Sequence, residues 1–272
     1  MKQLLGLALI KIDPADDTMN IHRLVQDEFR SQVSGSDHQE HFDAASLLLY
    51  EAFPKQINGA MFNERMPICA RYIQHVFCLR NNLDTVMNED KRLKRPPTII
   101  PSPEYVKLMT NAAWYCVERQ DHAELESVLE NSFQAMVLNK MKETEPLVWA
   151  HLCNSAGRLW GQRGYFAKGE TYFHECLQIR RMKLGRGDEN IAGLLSNLGN
   201  LHLSMANYET ALDYQKQSLE WGIVGDQNHI SKRGQSIIKI NTARVLTDMG
   251  RTEEASVMFK ESDELSPDKD SP

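Results

Sequence analysis

Residues 191–222 read IAGLLSNLGNLHLSMANYETALDYQKQSLEWG, and their reading decides the fold. Leu194, Leu195, Leu198, Leu201 and His202 recur at helical spacing. After a tight turn, Tyr208, Ala211, Leu212, Tyr214 and Leu219 repeat the periodicity. The stretch therefore predicts two amphipathic helices joined by a short turn. Gly199 interrupts an otherwise strong helix pattern, which points to a packing reason. Together with Ala211 it leaves room for the two helices to approach closely.

The pattern returns along the chain. At a shift of 42, NSAGRLWGQRGYFAKGETYFHECLQI places Gly157 on Gly199, Trp160 on His202, Phe166 on Tyr208, Tyr172 on Tyr214, Cys176 on Ser218 and Leu177 on Leu219. At a shift of 44 the other way, INTARVLTDMGRTEEASVMFKESDEL puts Ala243 on Gly199 and Ala255 on Ala211. A weaker copy upstream, NAAWYCVERQDHAELESVLENSF, has Ala113 in the small slot and His122 in the aromatic one. Self-similarity at a fixed period of this size marks a stacked repeat array.

Leu198-Gly199-x2-His202 followed by Ala211 resembles the tetratricopeptide signature L-G-x2-Y…A-x3-F. The long period and the bridge LQIRRMKLGRGDENIAGLLSNLG resemble the kinesin-light-chain variety, with a prolonged second helix ending in an LG-x-x-D/H loop. The resemblance covers about residues 105 to 265. It implies an all-α fold, a right-handed superhelix of tetratricopeptide-like helix pairs.

Upstream, Leu7-Ala8-Leu9-Ile10-Lys11-Ile12 has strand character, Asp13-Pro14-Ala15-Asp16-Asp17 is a turn, Met19-Asn20-Ile21 is a returning strand, and a helix begins at His22. Strand, turn, strand and a helix starting IHRLVQ resemble the end of the winged-helix domain in NB-ARC-type STAND signalling ATPases, relatives of NOD-like receptors that carry such arrays at the C-terminus in fungi. In the plant branch the segment reads M-H-D-L and its histidine reaches the ADP phosphate. The resemblance makes His22 that histidine and Ile21 the methionine, whereas Arg23 departs from the aspartate. The chain contains no G-x-x-x-x-G-K-[ST] loop to cradle phosphates, so ADP or ATP enters only if an ATPase domain is supplied upstream. Alternatively, His22 is a helix-start residue packed on the hairpin.

Phe42, Ala45, Leu48, Leu49 and Phe53 form a helical stripe closed by Pro54, and a second helix is expected over 61–82 with Cys69, Tyr72, Ile73, Val76, Phe77 and Leu79 inward. Pro96, Pro97, Pro101 and Pro103 break the pattern between 86 and 104. The expected organisation is thus a partial winged-helix segment at 1–35, a helical connector at 36–86, a Pro-rich basic loop at 87–104, the repeats at 105–265 and a polar tail at 266–272.

The functional classes narrow from here. A net charge of -6 argues against a dedicated nucleic-acid binder. No apolar run approaches the ~18 residues of a membrane span. The segment MKQLLGLALI imitates a signal-peptide start, but Lys11-Ile12-Asp13-Pro14 follows where a small-residue cleavage site would lie. Five scattered cysteines suit buried thiols in a reducing compartment, which places the chain in the cytoplasm. Lys91-Arg92-Leu93-Lys94-Arg95 reads either as a solvated loop or as a nuclear import signal. Cys69, His75 and Cys78 are spaced C-x5-H-x2-C, unlike a structural zinc site, and lack a fourth ligand. No converging nucleophile, base, carboxylate pair or metal set indicates catalysis, and no cofactor is expected.

A curved stack instead creates a concave groove lined by the first helices. The residues expected there are Lys107, Thr110, Trp114 and Glu118; then His151, Asn154, Arg158 and Gln162; then Ser196, Asn200 and Ser204; and finally Arg244 and Asp248. Asparagine and arginine in such a groove would bond the backbone and carboxylates of a protein or peptide partner. They equally suit a merely solvated face. The Lys/Asn/Lys/Arg clamp that reads chaperone C-terminal tails is not found. The leading functional readings are the recognition or scaffolding end of a STAND-type receptor and a stand-alone adaptor resembling kinesin light chain. A nucleotide-regulated switch acting through His22 is a third.

Overall fold

The computed structural model describes residues 10–13, 18–21, 37–57, 60–224 and 227–265. Ten α-helices among these residues form five antiparallel pairs: α1 (Asp37–Ala52) with α2 (Met66–Leu93), α3 (Pro103–Arg119) with α4 (His122–Leu138), α5 (Pro146–Gln162) with α6 (Phe166–Lys183), α7 (Glu189–Ser204) with α8 (Tyr208–Trp221), and α9 (Lys232–Asp248) with α10 (Thr252–Leu265). A single helical turn at Met141–Thr144 joins α4 to α5. Successive first helices touch, α1 to α3, α3 to α5, α5 to α7 and α7 to α9, while each second helix packs on the next pair. This is the expected right-handed superhelix of tetratricopeptide-like pairs.

The periodicity is visible bond by bond. At the turn inside each of the last four pairs, one residue adopts left-handed backbone at the same repeat position: Gln120 (φ 55°), Gly164 (φ 81°), Ala206 (φ 58°) and Gly250 (φ 75°). The next N–H reaches back five residues to close the helix end: Asp121 to Cys116 O, Tyr165 to Trp160 O, Asn207 to His202 O and Arg251 to Leu246 O, at 2.8–3.0 Å. Such closure satisfies carbonyls that a helix end otherwise leaves open. Helix starts are capped by short polar side chains, with Ser102 accepting from Tyr105 N, Asp121 from Glu124 N, Asp188 from Asn190 N and Ser231 from Gly234 N.

The small slots work as the sequence predicts. A Cβ on Gly157 would lie 2.5 Å from the Phe173 ring, and one on Gly199 would lie 2.5 Å from Gln215 Nε2 and 3.1 Å from the Ala211 carbonyl. Phe173 and Gln215 occupy one repeat position, 42 residues apart, and both are buried. Gln215 turns that layer polar: its amide takes the Ser196 hydroxyl at 2.8 Å and donates to the Ser196 carbonyl at 3.1 Å.

The core is unevenly distributed. The largest apolar cluster runs from Phe42 in α1 to Leu159 in α5, and a second links α5, α6 and α7. A much smaller one, Ala211, Leu212, Ala243, Val245, Leu246 and Ala255, joins α8, α9 and α10.

The N-terminal part departs from expectation in three respects. First, α2 begins at Met66 and continues through Leu93, so the segment expected to break at 86 stays helical for two more turns. Met87 is buried in the core there, Asp90 accepts from Arg95 and Thr98 in the loop that follows, and the proline-bearing loop is confined to 94–102. Second, Lys91 and Arg92 belong to the last turn of α2, and Arg95 pairs with the buried Asp90 carboxylate. The basic run is thus partly helical and partly paired. Third, α1 and α2 stack on α3 as a further pair in the array, where the sequence reading had a connector. Phe42 and Phe53 are buried as expected, whereas Leu48 is 71% exposed. The hairpin is present as β1 (Ile10–Asp13) against β2 (Thr18–Ile21), antiparallel with Ile10 opposite Ile21. His22, the nucleotide-sensor candidate, and the helix expected to begin there lie outside the described residues, as does the tail at 266–272. A second short hairpin, β3 (Ile223–Val224) with β4 (Gln227–Asn228), separates α8 from α9.

Candidate functional site: the concave groove

First helices α3, α5, α7 and α9 line a concave groove with a cavity of about 430 Å³. Of the thirteen residues predicted for it, Trp114, Glu118, His151, Asn154, Arg158, Gln162, Ser196 and Asn200 lie on its walls. Ser204 lines an adjoining recess of about 150 Å³ that shares Arg158, Gln162 and Asn200 with the groove.

Four predictions are corrected. Lys107 is ion-paired with Glu145 at 3.0 Å and is not on the groove wall. Thr110 is buried, with its hydroxyl donating to the Val106 carbonyl at 2.8 Å. Lys107 is drawn to Glu145 at the start of α5, and an extra pair stacks in front of α3. The rings of Phe42 on α1 and Tyr105 on α3 lie 5.0 Å apart, and the α1–α2 loop runs beside α3, where Gln56 N donates to Asn111 Oδ1 at 2.7 Å. Arg244 and Asp248 are exposed beyond the end of the groove, which α9 lines instead with Ile237, Ile238 and Asn241.

Asn197, Asn241, Arg180, Asn190 and Met61 were missed. For the first two a signal existed, since Asn197 and Asn241 coincide at the same shift of 44 that superposes Gly199 on Ala243. Arg180 lies on a second helix, where spacing along the first helices gives no signal. It sits near the end of α6, buried, with a guanidinium N–H donating to the Asn190 carbonyl at 2.7 Å.

The groove floor is a run of side-chain amides. Asn197 donates to Asn154 Oδ1 at 3.1 Å, Asn241 donates to the Ser196 hydroxyl at 3.0 Å, and Gln215 lies beneath Ser196. Each amide carries both donors and acceptors, so one bond inside the protein leaves capacity free for a ligand.

Charge concentrates toward α3. The Arg158 guanidinium lies 5.4 Å from the centre of the Trp114 ring, and the His151 ring stands 5.4 Å away on the same tryptophan. Arg158 is half-buried on the groove wall; burial lowers its pKa, partly offset by the Glu118 charge. Among the described residues Arg158 has no hydrogen-bond or ion-pair partner. Burial, reinforced by the positive charge of Arg180, pushes the His151 imidazole down to about 3, so it is neutral near pH 7. Its Nε2 is buried without a partner among the described residues. Glu118 accepts the Phe62 N–H at 3.0 and 3.1 Å. Burial raises its pKa against the opposing effects of that N–H, the Trp114 indole and the Arg158 and Arg233 charges.

Among the described residues no group of three or more histidine, cysteine, aspartate or glutamate side chains is arranged to hold a metal ion. No helix among them is long and apolar enough to cross a membrane.

An array of paired helices with small residues at their crossings and a polar concave face defines a class, the tetratricopeptide-type repeat scaffold. Within it, residues 157–220 match the tetratricopeptide repeat family, a span covering most of α5 through α8. Among solved structures, the chain is similar to BtubC (BKLC) from P. vanneervenii at 15% identity and a TM-score of 0.52, over 85% of this chain and 89% of that one. It is also similar to a kinesin-light-chain-type protein of nearly identical TPR-like repeats from Podosopora anserina, at 13% identity and a TM-score of 0.52, over 75% of this chain and 93% of that one. These likenesses are of fold. No curated protein sequence matches the chain.

Proposed function

We propose that this chain is a non-catalytic recognition scaffold that holds an extended segment of a partner protein along its concave groove. One observation carries the reading: side-chain amides from three successive first helices, Asn154, Asn197, Asn200 and Asn241, meet on one wall. An extended peptide presents alternating N–H and C=O groups, and amides can answer both without regard to side-chain identity.

A pool of isotope-edited random octapeptides, titrated into the labelled chain, tests this by NMR. Peptide-induced shifts should map to the amides of Asn154, Asn197 and Asn241, and Asn154→Ala with Asn241→Ala should weaken binding at least about tenfold. Shifts confined to the convex faces of α4 or α6 would place recognition elsewhere.

The hairpin β1–β2 favours a second reading, in which the groove is the sensing end of a larger STAND-type receptor. On that reading ADP binding requires an added ATPase domain. Calorimetry with ADP on this chain alone should give no heat of binding, and a signal lost in His22→Ala would instead support a nucleotide switch within it. The adaptor reading shares the groove and needs no nucleotide.

A further inference from the structure

Resting on that peptide-groove reading, we infer that the partner segment is about eight residues long, apolar at both ends, and carries an acidic side chain that its Arg158 contact selects. Three observations on the groove wall lead there.

The first is a guanidinium with no bonded anion. Arg158 presents a planar fork of donors into the groove, with one face covered by Trp114 and no carboxylate bonded to it among the described residues. A guanidinium stacked on a ring with no hydrogen-bonded anion keeps its fork of donors open, and an incoming carboxylate would form charge-assisted bonds to it. The neighbouring carboxylate, Glu118, is already engaged by Phe62 N. The buried His151 Nε2 beside Trp114 has no partner either.

The second is the count of charges. Glu118 already places one negative group near Arg158, so the site accepts a single further negative charge more readily than a phosphate dianion. Of the other charged wall residues, Arg180 donates to the Asn190 carbonyl and Glu189 accepts from the Ser231 hydroxyl, so both are already engaged; the remaining polar groups are neutral. An aspartate or glutamate side chain fits this balance.

The third is the distribution of apolar surface. Met61 and Val117 mark the α3 end of the groove, while Ile230, Ile237 and Ile238 mark the α9 end. Met61 and Ile237 are each 45% exposed, so they offer contact area that the folded chain does not use. From α3 to α9 there are three steps between neighbouring first helices, each about 9–10 Å. At about 3.3 Å per extended residue, that span takes about eight residues. Arg158, on the second of the four helices and leaning back over Trp114, puts the acid two or three positions from the apolar residue at the α3 end.

The test is a set of fluorescein-labelled octapeptides with leucine at both ends, serine and asparagine between, and one glutamate walked through the interior, read by fluorescence polarisation. One position, two or three from one end, should bind best. Replacing that glutamate by glutamine should weaken binding about 10- to 100-fold for the natural chain. The same replacement should change binding less than about threefold for Arg158→Gln, a cycle that a purely structural role for Arg158 would not produce. Because the glutamate-to-glutamine comparison is made on unaltered protein, it reads the inference even where Arg158→Gln folds poorly. Equal binding of acidic and neutral peptides would overturn the inference and leave the groove reading intact. Tenfold tighter binding of a phosphoserine peptide would overturn it in favour of a phosphate ligand. If none of the set binds while random peptides still shift the groove amides, the assigned pattern is wrong; if nothing shifts them, the groove reading itself falls.

Discussion

Replacing Gly157 by alanine pits two known quantities against each other. In a helix interior alanine is favoured over glycine by about 1 kcal/mol. At Gly157, however, the new methyl would sit 2.5 Å from Phe173 Cδ1 and Cε1 and 2.9 Å from Cγ. Carbon atoms pack at about 3.5–4.0 Å, so the overlap is about 1 Å with a ring that is 2% exposed and has little room to turn. Overpacking of this kind costs about 1–3 kcal/mol. It outweighs the helix gain, and the variant should lose about 1–2 kcal/mol, read from urea unfolding followed by circular dichroism. Phe173→Leu removes the obstructing ring edge. In the double variant the two costs should fall short of their sum by at least about 1 kcal/mol. Gly193→Ala supplies the control: it lies in α7 with nothing within 4 Å of the added methyl, and should stabilise by about 0.5–1 kcal/mol. A Gly157→Ala chain as stabilised as Gly193→Ala would refute the close crossing of α5 and α6 on which the repeat register depends.

Other outcomes follow from single residues. Ala206 holds left-handed backbone where two other repeats use glycine, so Ala206→Gly should raise the urea midpoint, by up to about 1 kcal/mol of stability. His151 stays neutral in the folded chain down to about pH 3, while in the unfolded chain it protonates below about 6.5. Stability linked to it is therefore complete above pH 6.5 and falls by about 1.4 kcal/mol per unit as pH drops from 6.5 toward 3. His151→Asn should flatten the stability profile between pH 6.5 and 4.5, and an unchanged slope would contradict the burial of its imidazole. Burial holds Cys69 and Cys176 at about 11 and Cys116 at about 12, raises Cys153 as well, and leaves Cys78 exposed. A thiol reagent at neutral pH should label one cysteine promptly and the other four only in denaturant.

The helix pairs and their register were legible because packing constraints repeat: Gly157 and Gly199, 42 residues apart, meet the same demand in two places. The groove was legible for the same reason along the middle of the array, where Asn154, Arg158 and Asn200 fall as spacing predicts. It failed at both ends. Lys107 and Thr110 obey helical spacing, but spacing does not reveal that α1 and α2 stack against α3. Arg244 and Asp248 continue the polar stripe in sequence, yet the groove closes on Ile237 and Asn241 one to two turns earlier. The continuation of α2 to Leu93 was hidden by a charged surface, NEDKR, whose helix is held by the buried Met87 and by the bonds Asp90 accepts from the loop that follows.

The thinning of apolar contacts from α1 toward α10 gives the array a grain. Its front half is bound by phenylalanine, tyrosine and leucine, its rear by a small cluster of three alanines, two leucines and a valine beside a glutamine layer. Heat or load should therefore peel α9 and α10 away first and leave the front standing. A guest lying from Trp114 to Ile238 would lace the loose end to the firm one. Occupancy would then be felt at the rear of the spiral as stiffness, a mechanical message carried without any change of shape.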